Sequence, residues 1–446
     1  MKSYRQPRLS APRYVLLLIL ACVPLHGQEL RTAIVEGNLL RVQNLLADGV
    51  DPNQPFADTS TPLAWATDKQ SVPLVKALLE AGAKPVSSAD SFSALVLACL
   101  RGNSEIIHLL LDAGAEVNQT NAEGITPLAL CAGNADLASV KRILEQGAEL
   151  TRRDLQGQTA LMWAAAKGRE DIFRFLVGRG ADINAASNNG FSPLFFAIKS
   201  GSKNTAFAAL ELGADVTHRG PENTSAVQLA MYQQLYPLAQ ALIERGVDLN
   251  AFDRNGYQLL HAAVIAQQAG LVKLLLDKGA DPNSVTGESR ITWRYEVNFT
   301  SRPYVVHPKS PLLLAAERGS KEMMAAMIAA GAKPDFRSDD GNNVLLAAAQ
   351  SNPEAMAYAL TLVKNVNRQN QAGQTALHRL MTLGTDKETT NEDMAAMFKL
   401  LAAAGARTDI ADNNGTTAYD IGSRDQYRAK DAFLATFNST KESVQL

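Results

Sequence analysis

Residue types that carry chemistry are spread along this 446-residue chain without the spacing that catalytic or metal sites need. Its six histidines are scattered, and none forms the pair four residues apart, with an acid between, that zinc hydrolases use. Neither a Gly-x-Ser-x-Gly elbow nor a phosphate-binding Gly-x-x-x-x-Gly-Lys-Ser/Thr loop is present. The sequence therefore predicts a protein that is not an enzyme and that uses no metal or cofactor.

Glycine recurs at a nearly fixed interval, and this interval predicts the elements of the fold. The recurring glycines, 32 or 33 residues apart, are Gly49, Gly82, Gly114, Gly147, Gly180, Gly213, Gly246 and Gly279. A period of this size is typical of a solenoid, in which each unit buries its apolar face against its neighbours.

The stretch from Asp154 to Ala186 shows what one unit contains. Asp154 opens a turn in which Gly157 can adopt positive φ, and Thr159 then stands where it can cap a helix with apolar residues at helical spacing. A second amphipathic helix should end at Gly180, the left-handed position that disfavours a Cβ. The unit is predicted to be turn, helix, turn, helix.

A short motif at the start of the first helix resembles the Thr-Pro-Leu-His signature of the ankyrin repeat. It occurs as Thr61-Pro62-Leu63, Thr126-Pro127-Leu128, Thr159-Ala160-Leu161, Ser192-Pro193-Leu194, Ser310-Pro311-Leu312 and Thr375-Ala376-Leu377-His378. The resemblance implies an all-α ankyrin-repeat solenoid of about twelve helix-turn-helix units with short β-turn tips, over residues 28–437, followed by a tail at 438–446.

Individual positions in the motif carry further expectations. The resemblance implies that His261 and His378, at the histidine position, tie neighbouring turns together by hydrogen bonds and are not ligands. Trp65 and Trp163 share another repeat position, two residues after the motif leucine, so we expect both in the core between repeats.

Two places break the period and predict insertions. The interval from Gly279 to Gly331 exceeds one repeat, which places an insertion at about 284–307. Lys364 is assigned to the glycine position of a later unit, and the long interval from there to Gly405 places a second insertion at about 382–390, between two helices. Insertions in solenoids become loops on one face.

The first 27 residues have the pattern of a secretory signal peptide: a basic start, no acid before Glu29 and a short apolar run closed by Pro24. The run is too short to span a bilayer. We predict cleavage after Gly27 and export of a chain that begins at Gln28. Alternatively, Ile19-Leu20-Ala21-Cys22 resembles a bacterial lipobox, and lipidation of Cys22 would anchor the chain to a membrane.

Cys99 and Cys131 remain after that cleavage, each in the first helix of its unit, where the repeat favours a small residue. Inner helices of successive repeats stack about 8 to 10 Å apart, which we take to be beyond the reach of a disulfide. We therefore expect two buried thiols. A disulfide is the alternative, because export leads to an oxidising compartment.

The repeat register predicts which side chains face the concave groove that ankyrin arrays use for binding. The resemblance assigns the second, third, fifth, thirteenth and fourteenth positions to that groove, and the first insertion adds nearby aromatic residues. The predicted protein-binding residues are Gln158, Phe191, Lys199, Tyr232, Arg254, Tyr257, Ile265, Trp293, Tyr295 and Tyr304. Exposed aromatic side chains on a rigid surface are typical of interaction hot spots. In the alternative interpretation, the insertion folds over these rings and buries them.

Composition and resemblance together narrow the function classes. A net charge of -2 and a pI near 6.3 leave no basic excess for nucleic acid. The resemblance implies a protein-binding scaffold or regulator. Similarity to exported bacterial ankyrin proteins implies that it is located in the periplasm. We expect a monomer without a transmembrane segment. Three hypotheses stay open beside it: an outer-membrane-anchored binding lipoprotein, a toxin-neutralising or effector protein, and an enzyme with its chemistry in the first insertion.

Overall fold

A computed structural model describes residues 25–85, 93–288, 293–295, 301–303, 308–382, 389–424 and 429–442. These residues form twenty-four α-helices in twelve successive pairs, which confirms the predicted all-α solenoid of helix-turn-helix units. The first six pairs are α1 Leu25–Glu36 and α2 Leu39–Ala47, α3 Pro62–Asp68 and α4 Val72–Glu80, α5 Ala94–Arg101 and α6 Ser104–Asp112, α7 Pro127–Asn134 and α8 Leu137–Glu145, α9 Ala160–Ala166 and α10 Glu170–Gly178, and α11 Pro193–Lys199 and α12 Lys203–Glu211.

The remaining pairs follow the same plan. They are α13 Ala226–Tyr232 and α14 Tyr236–Glu244, α15 Leu259–Ile265 and α16 Ala269–Asp277, α17 Pro311–Glu317 and α18 Lys321–Ala329, α19 Val344–Ala348 and α20 Pro353–Leu362, α21 Ala376–Met381 and α22 Asn391–Ala403, and α23 Ala418–Gly422 and α24 Lys430–Glu442. A 3-10 turn at Pro221–Asn223 precedes α13, and two short strands, β1 Trp293–Tyr295 and β2 Ser301–Pro303, lie between α16 and α17.

The helices are distributed over two compact units. Of the described residues, those up to 164 and from 171 to 181 form unit 1, and those from 165 to 170 and from 182 onwards form unit 2. In both of these larger units, the first helix of a repeat packs against the second helix of the same repeat and against the first helix of the next repeat. Thus α3 contacts α4 and α5, and α13 contacts α14 and α15. Side chains such as Leu63, Leu74 and Leu78 are completely buried by this packing. Neighbouring repeats therefore bury each other's apolar faces, as predicted.

The glycines that end the second helices adopt the conformation predicted for them. All eight members of the series from Gly49 to Gly279 have φ between 81° and 94°. An L-residue rarely adopts this left-handed region because its Cβ is strained there, whereas glycine has no such cost. The recurring glycine is thus the element that reverses the chain between one repeat and the next.

The predicted turn and cap are formed around Asp154. Its backbone N–H donates to the carbonyl of Gln158 (3.0 Å), and its Oδ1 accepts from the N–H groups of Gln156 and Gln158 (2.9 and 2.8 Å). Thr159 Oγ1 then accepts from the backbone N–H of Met162 (3.4 Å) and caps α9. A carboxylate that satisfies backbone donors in this way fixes the β-turn tip.

Asparagine side chains join successive repeats next to these glycines. Asn118 Nδ2 donates to the carbonyl of Gly147 (3.1 Å), and its Oδ1 accepts from the N–H of Glu149 (2.9 Å). Asn283 makes the same pair of bonds with the carbonyl of Gly331 (3.0 Å) and the N–H of Lys333 (2.8 Å), although the first insertion intervenes. Repeat stacking therefore continues in register past that insertion.

The first insertion lengthens a turn tip. Thr286 donates its N–H to the carbonyl of Lys309 (3.1 Å), a bond that an ordinary unit makes between residues four apart. Beyond it β1 and β2 pair in antiparallel register, with Arg294 opposite Arg302. The predicted bounds were 284–307, of which 289–292, 296–300 and 304–307 lie outside the described residues. The second predicted insertion falls between α21 and α22, and its residues 383–388 also lie outside them.

The assignment of Lys364 to the glycine position is wrong by one residue. Asn367 Nδ2 donates to the carbonyl of Gly405 (3.0 Å), as Asn283 does to Gly331, and it lies four residues after Val363 as Asn283 lies four after Gly279. Val363 therefore stands in the glycine position and is extended, with φ −109° and ψ 143°. The error arose because this unit is one residue shorter than the assumed period.

The expectation of two free buried thiols is also wrong, because Cys99 and Cys131 form a disulfide with Cα atoms 4.6 Å apart. Helix axes about 9 Å apart leave only about 4 Å between Cα atoms on facing sides, since each Cα lies about 2.3 Å from its axis. Both cysteines are fully buried. Close approach is also built into the helix ends, where a Cβ on Gly102 would collide with the carbonyl of Asn134.

Candidate functional site

Three of the predicted binding residues line one cleft between α13 and α15. The cleft has a volume of about 320 Å³. Tyr232 enters it from the end of α13, Tyr257 from the turn before α15 and Ile265 from the end of α15. Tyr236, from the start of α14, adds a third aromatic ring. The repeat register thus brings an aromatic and aliphatic surface together within unit 2.

Asp253 holds the wall of this cleft in place. Its Oδ1 accepts from the N–H groups of Asn255 and Tyr257, both at 2.8 Å, which forms the turn. Its Oδ2 accepts from the hydroxyl of Tyr232 at 2.8 Å. The carboxylate is nearly buried, so these bonds replace the water it has lost. One residue of the turn tip therefore positions both tyrosines.

Arg254 contacts one of the two tyrosine rings and is not itself a lining residue of the cleft. Its guanidinium carbon lies 5.7 Å from the centre of the Tyr232 ring, a distance at which the cation is attracted to the ring face. Tyr232 nevertheless keeps 41% of its surface exposed. A large aromatic ring that is held by a hydrogen bond and still accessible loses little conformational freedom when a partner covers it. The ring is preorganised for contact.

Phe191 and Lys199 form a second surface cluster. The Lys199 ammonium lies 5.0 Å from the centre of the Phe191 ring, which also contacts Phe196 (5.8 Å between centroids) and the buried Phe195 (6.3 Å). Phe191 is half-buried and is not among the residues that line the cleft of Tyr232, Tyr257 and Ile265, which we call the tyrosine cleft. The predicted groove residues of unit 2 therefore fall into two clusters.

The other predicted residues have less defined roles. Gln158 is half-buried in unit 1, where its backbone completes the Asp154 turn. Trp293 and Tyr295 lie on β1, opposite Pro303 and Ser301. Tyr304 lies outside the described residues. Assignment of all ten residues to partner binding stays a prediction.

The tryptophans differ from the expectation that both belong to the core. Trp65 and Trp163 are half-buried, and their indole N–H groups donate to turn-tip oxygens, Ser60 Oγ (2.7 Å) and Asp154 Oδ2 (3.2 Å). Trp65 also lines a cleft of about 270 Å³, and the Arg31 guanidinium lies 4.9 Å from its ring. This position lies at the edge of the first helix, which the spacing of apolar residues could not distinguish from its centre.

The two motif histidines behave differently. His378 ties turns together as predicted: its Nδ1 accepts from the N–H of Thr375 (3.3 Å), and its Nε2 donates to the carbonyl of Thr416 (3.1 Å) in the next repeat. His261 is completely buried, and neither ring nitrogen has a well-formed hydrogen bond among the described residues. Burial lowers its pKa to about 4, an effect that the backbones of Lys309 and Ser284 and the charge of Asp253 only partly oppose.

A metal site and a membrane-spanning helix were sought in the part of the chain that the structure describes. There, no three His, Cys, Asp or Glu side chains converge into a group that could bind a metal ion. Within the same residues, every helix is too short or too polar to cross a bilayer.

Comparison with known proteins agrees with the repeat architecture. A family model described as "Ankyrin repeats (3 copies)" matches residues 30–121, 95–187, 128–220 and 194–286, together more than half of the chain. Human ankyrin repeat and SOCS box protein 11 is 34% identical over 106 residues, which cover 24% of this chain and 33% of that protein. Human ankyrin repeat and SOCS box protein 16 is 32% identical over 120 residues, covering 22% and 26%.

A further relative is the horse ankyrin repeat, SAM and basic leucine zipper domain-containing protein 1, 31% identical over 111 residues that cover 24% of this chain and 23% of that protein. The chain thus spans a third or less of the length of these animal relatives. Ankyrin-repeat arrays generally serve as protein-binding scaffolds without catalytic activity of their own. The helix pairs, the turn geometry and the family match together show that this chain belongs to the ankyrin-repeat family.

Proposed function

We propose that this chain is an exported scaffold or regulator that acts in the bacterial periplasm by binding another protein through its tyrosine cleft. The observation that carries the binding site is the convergence of Tyr232, Tyr257 and Ile265 in one cleft whose wall Asp253 fixes. Interaction hot spots are enriched in tyrosine and arginine and need side chains that are ordered before binding. The chain acts as a monomer and supplies a surface.

Two observations support export. The first is that residues 1–27 have the charge and apolar pattern of a signal peptide, and that the match to the family model begins after them, at residue 30. The Cys99–Cys131 disulfide is the second, since disulfides persist in oxidising compartments and are rare in the cytosol. The periplasm of a Gram-negative cell meets both conditions.

Truncation of the cleft tests its role. Mature protein would be immobilised, cross-linked to partners from periplasmic extract and compared with Tyr257→Ala and Ile265→Ala. Each variant should bind about thirtyfold more weakly, or about 2 kcal/mol, because an anchor side chain loses its packing. Tyr358→Ala is the matched control: Tyr358 is a half-buried tyrosine on the second helix α20, outside the cleft. Equal recovery by parent and cleft variants would reject this site.

The proposed export is tested by determining the N-terminal residue of the protein purified from its native compartment. Mass spectrometry should find a chain that starts at Gln28. In the structure α1 starts at Leu25, so this cut would remove only the first three residues of that helix. A diacylglycerol group on Cys22 would support the lipoprotein alternative, and a chain that retains Met1 in the cytoplasm would contradict export.

A further inference from the structure

A second cleft in unit 2, of about 370 Å³, lies where the repeat pattern is interrupted. The Arg337 side chain enters it from the turn after α18, and Lys364 and Arg368 line it from the segment after α20. Pro334, Leu362 and Val363 provide an apolar floor. The cleft is therefore amphipathic and rich in positive charge.

The interruption has a local cause. Asp335 occupies the position, four residues after the helix-ending Gly331, that Asn283 and Asn367 occupy in the units where they join successive repeats. A carboxylate has no N–H to donate to the carbonyl of the next repeat. That next carbonyl belongs to Val363, which is extended instead of left-handed. Both residues of this junction therefore differ from those of the neighbouring junctions, and the segment after α20 lines the cleft.

The charges in the cleft are unbalanced. Three cations face one carboxylate, that of Asp335. Among the described residues, none of the three cations lies in an ion pair, and the Arg337 Nη2 atom is buried without any hydrogen-bond partner. A buried donor without an acceptor is unfavourable, more so when it carries charge. An anionic group in the cleft would lie against the Arg337 side chain that lines it and between the two unpaired cations Lys364 and Arg368.

We propose that this cleft binds an acidic peptide segment of a protein partner, with an Asp or Glu carboxylate against Arg337 and a neighbouring apolar side chain against Leu362 and Val363. Arginine pairs with carboxylates through a planar fork of donors, and Lys364 and Arg368 at the exposed rim increase the local attraction for negative charge. This proposal rests on the proposed function, protein binding, but it uses residues separate from the tyrosine cleft.

Fluorescence anisotropy with the full mature chain tests it. The probes are two short labelled peptides, one of alternating Glu and Leu and one of alternating Gln and Leu, with inorganic phosphate as a third ligand. The Glu peptide should bind and the Gln peptide should not, and added salt should weaken binding by screening the exposed cations. Arg337→Gln should weaken binding of the Glu peptide about tenfold, the loss of one charge-assisted contact.

Two further variants make the outcome decisive. The double variant Lys364→Gln/Arg368→Gln changes only exposed side chains, so it should weaken binding even if Arg337→Gln lowers the melting temperature. Lys273→Gln, an exposed cation on α16 outside the cleft, should have no effect. Equal binding of the Glu and Gln peptides, equal binding by parent and double variant, or binding of phosphate without the Glu peptide would each overturn the proposal. Loss of Glu-peptide binding in Tyr257→Ala would instead mean that the peptide occupies the tyrosine cleft.

Discussion

Removal of the Cys99–Cys131 disulfide should destabilise one segment of unit 1. The bond closes a loop with a sequence separation of 32 residues, which contains α6. In the chain-entropy model, a loop of this length restricts the unfolded ensemble by an amount worth roughly 3 to 4 kcal/mol. The double variant Cys99→Ala/Cys131→Ala should lose this contribution and little packing, since alanine is the small residue that the repeat favours here.

Hydrogen exchange is the suitable assay, because a solenoid of this length does not unfold in a single two-state step. Openings that release the whole segment between the cysteines should become several hundredfold more frequent in the double variant, which follows from the same free energy. Exchange should therefore accelerate in α5, α6 and α7. Addition of a reductant to the double variant should change nothing, which controls for effects of the reagent.

Alkylation identifies the redox state directly. Because both sulfurs are buried, native protein should not react, and protein unfolded without reductant should still not react at Cys99 or Cys131. Only reductant and denaturant together should expose two thiols. Two alkylated cysteines without reductant would contradict the disulfide in the exported protein, and unchanged exchange in the double variant would show that the loop-entropy reasoning fails here.

Three smaller effects should follow from the same structure. Gly246→Ala should lower the free energy of unfolding by about 1 kcal/mol, because alanine is strained at positive φ. Gly102→Ala should lower it further, as measured by thermal melting, because the added Cβ also collides with Asn134. His261 has a lowered pKa in the folded state, so its contribution to stability is complete above its unfolded pKa near 6.5 and is lost as the pH falls towards about 4. Between pH 7 and about pH 5 the loss should be about 2 kcal/mol, and His261→Gln should abolish that part of the pH dependence. Tyr232→Phe should lower the melting temperature by removing one bond to Asp253, worth about 1 kcal/mol.

The turn framework could be predicted from sequence because each of its positions has a purely local cause. Gly180 must be glycine to adopt its left-handed φ, and Asp154 satisfies donors within the next four residues. Such constraints recur wherever the same residue recurs. The exposure of Trp163 could not be predicted in this way. Its side chain lies at the edge of the helix surface that packs against the neighbouring repeats, and the spacing of apolar residues does not show where that surface ends.

The distance between helix axes does not decide whether a disulfide can form, because Cα atoms on the facing sides of two helices lie closer together than the axes do. The signal was available in sequence, since Cys99 lies six residues after the capping Ser93 and Cys131 five after the capping Thr126, so the two are offset in register. Residues at the same position of two stacked helices point in the same direction, so their side chains do not meet. Residues at positions that differ by one can point towards each other across the two helices. Prediction of contacts within a repeat array therefore requires the helix radius as well as the period.

Positions where a residue differs from the repeat pattern are available for binding in a way that the regular junction positions are not. Gly279 ends a helix in the left-handed conformation, and the side chain of Asn283 bonds to the next repeat, so neither residue offers a side-chain group to a ligand. Val363 and Asp335 stand at the corresponding positions and do not make this pair of bonds, although the helices of these repeats still pack and the bonds recur one repeat later, between Asn367 and Gly405. Because nearest-neighbour stacking tolerates one weak junction, that junction can carry unpaired cations at a cost confined to two repeats. The regular repeats therefore present a partner surface through their turn-tip side chains, as in the cleft of Tyr232 and Tyr257, and this junction adds a second one through its unpaired cations.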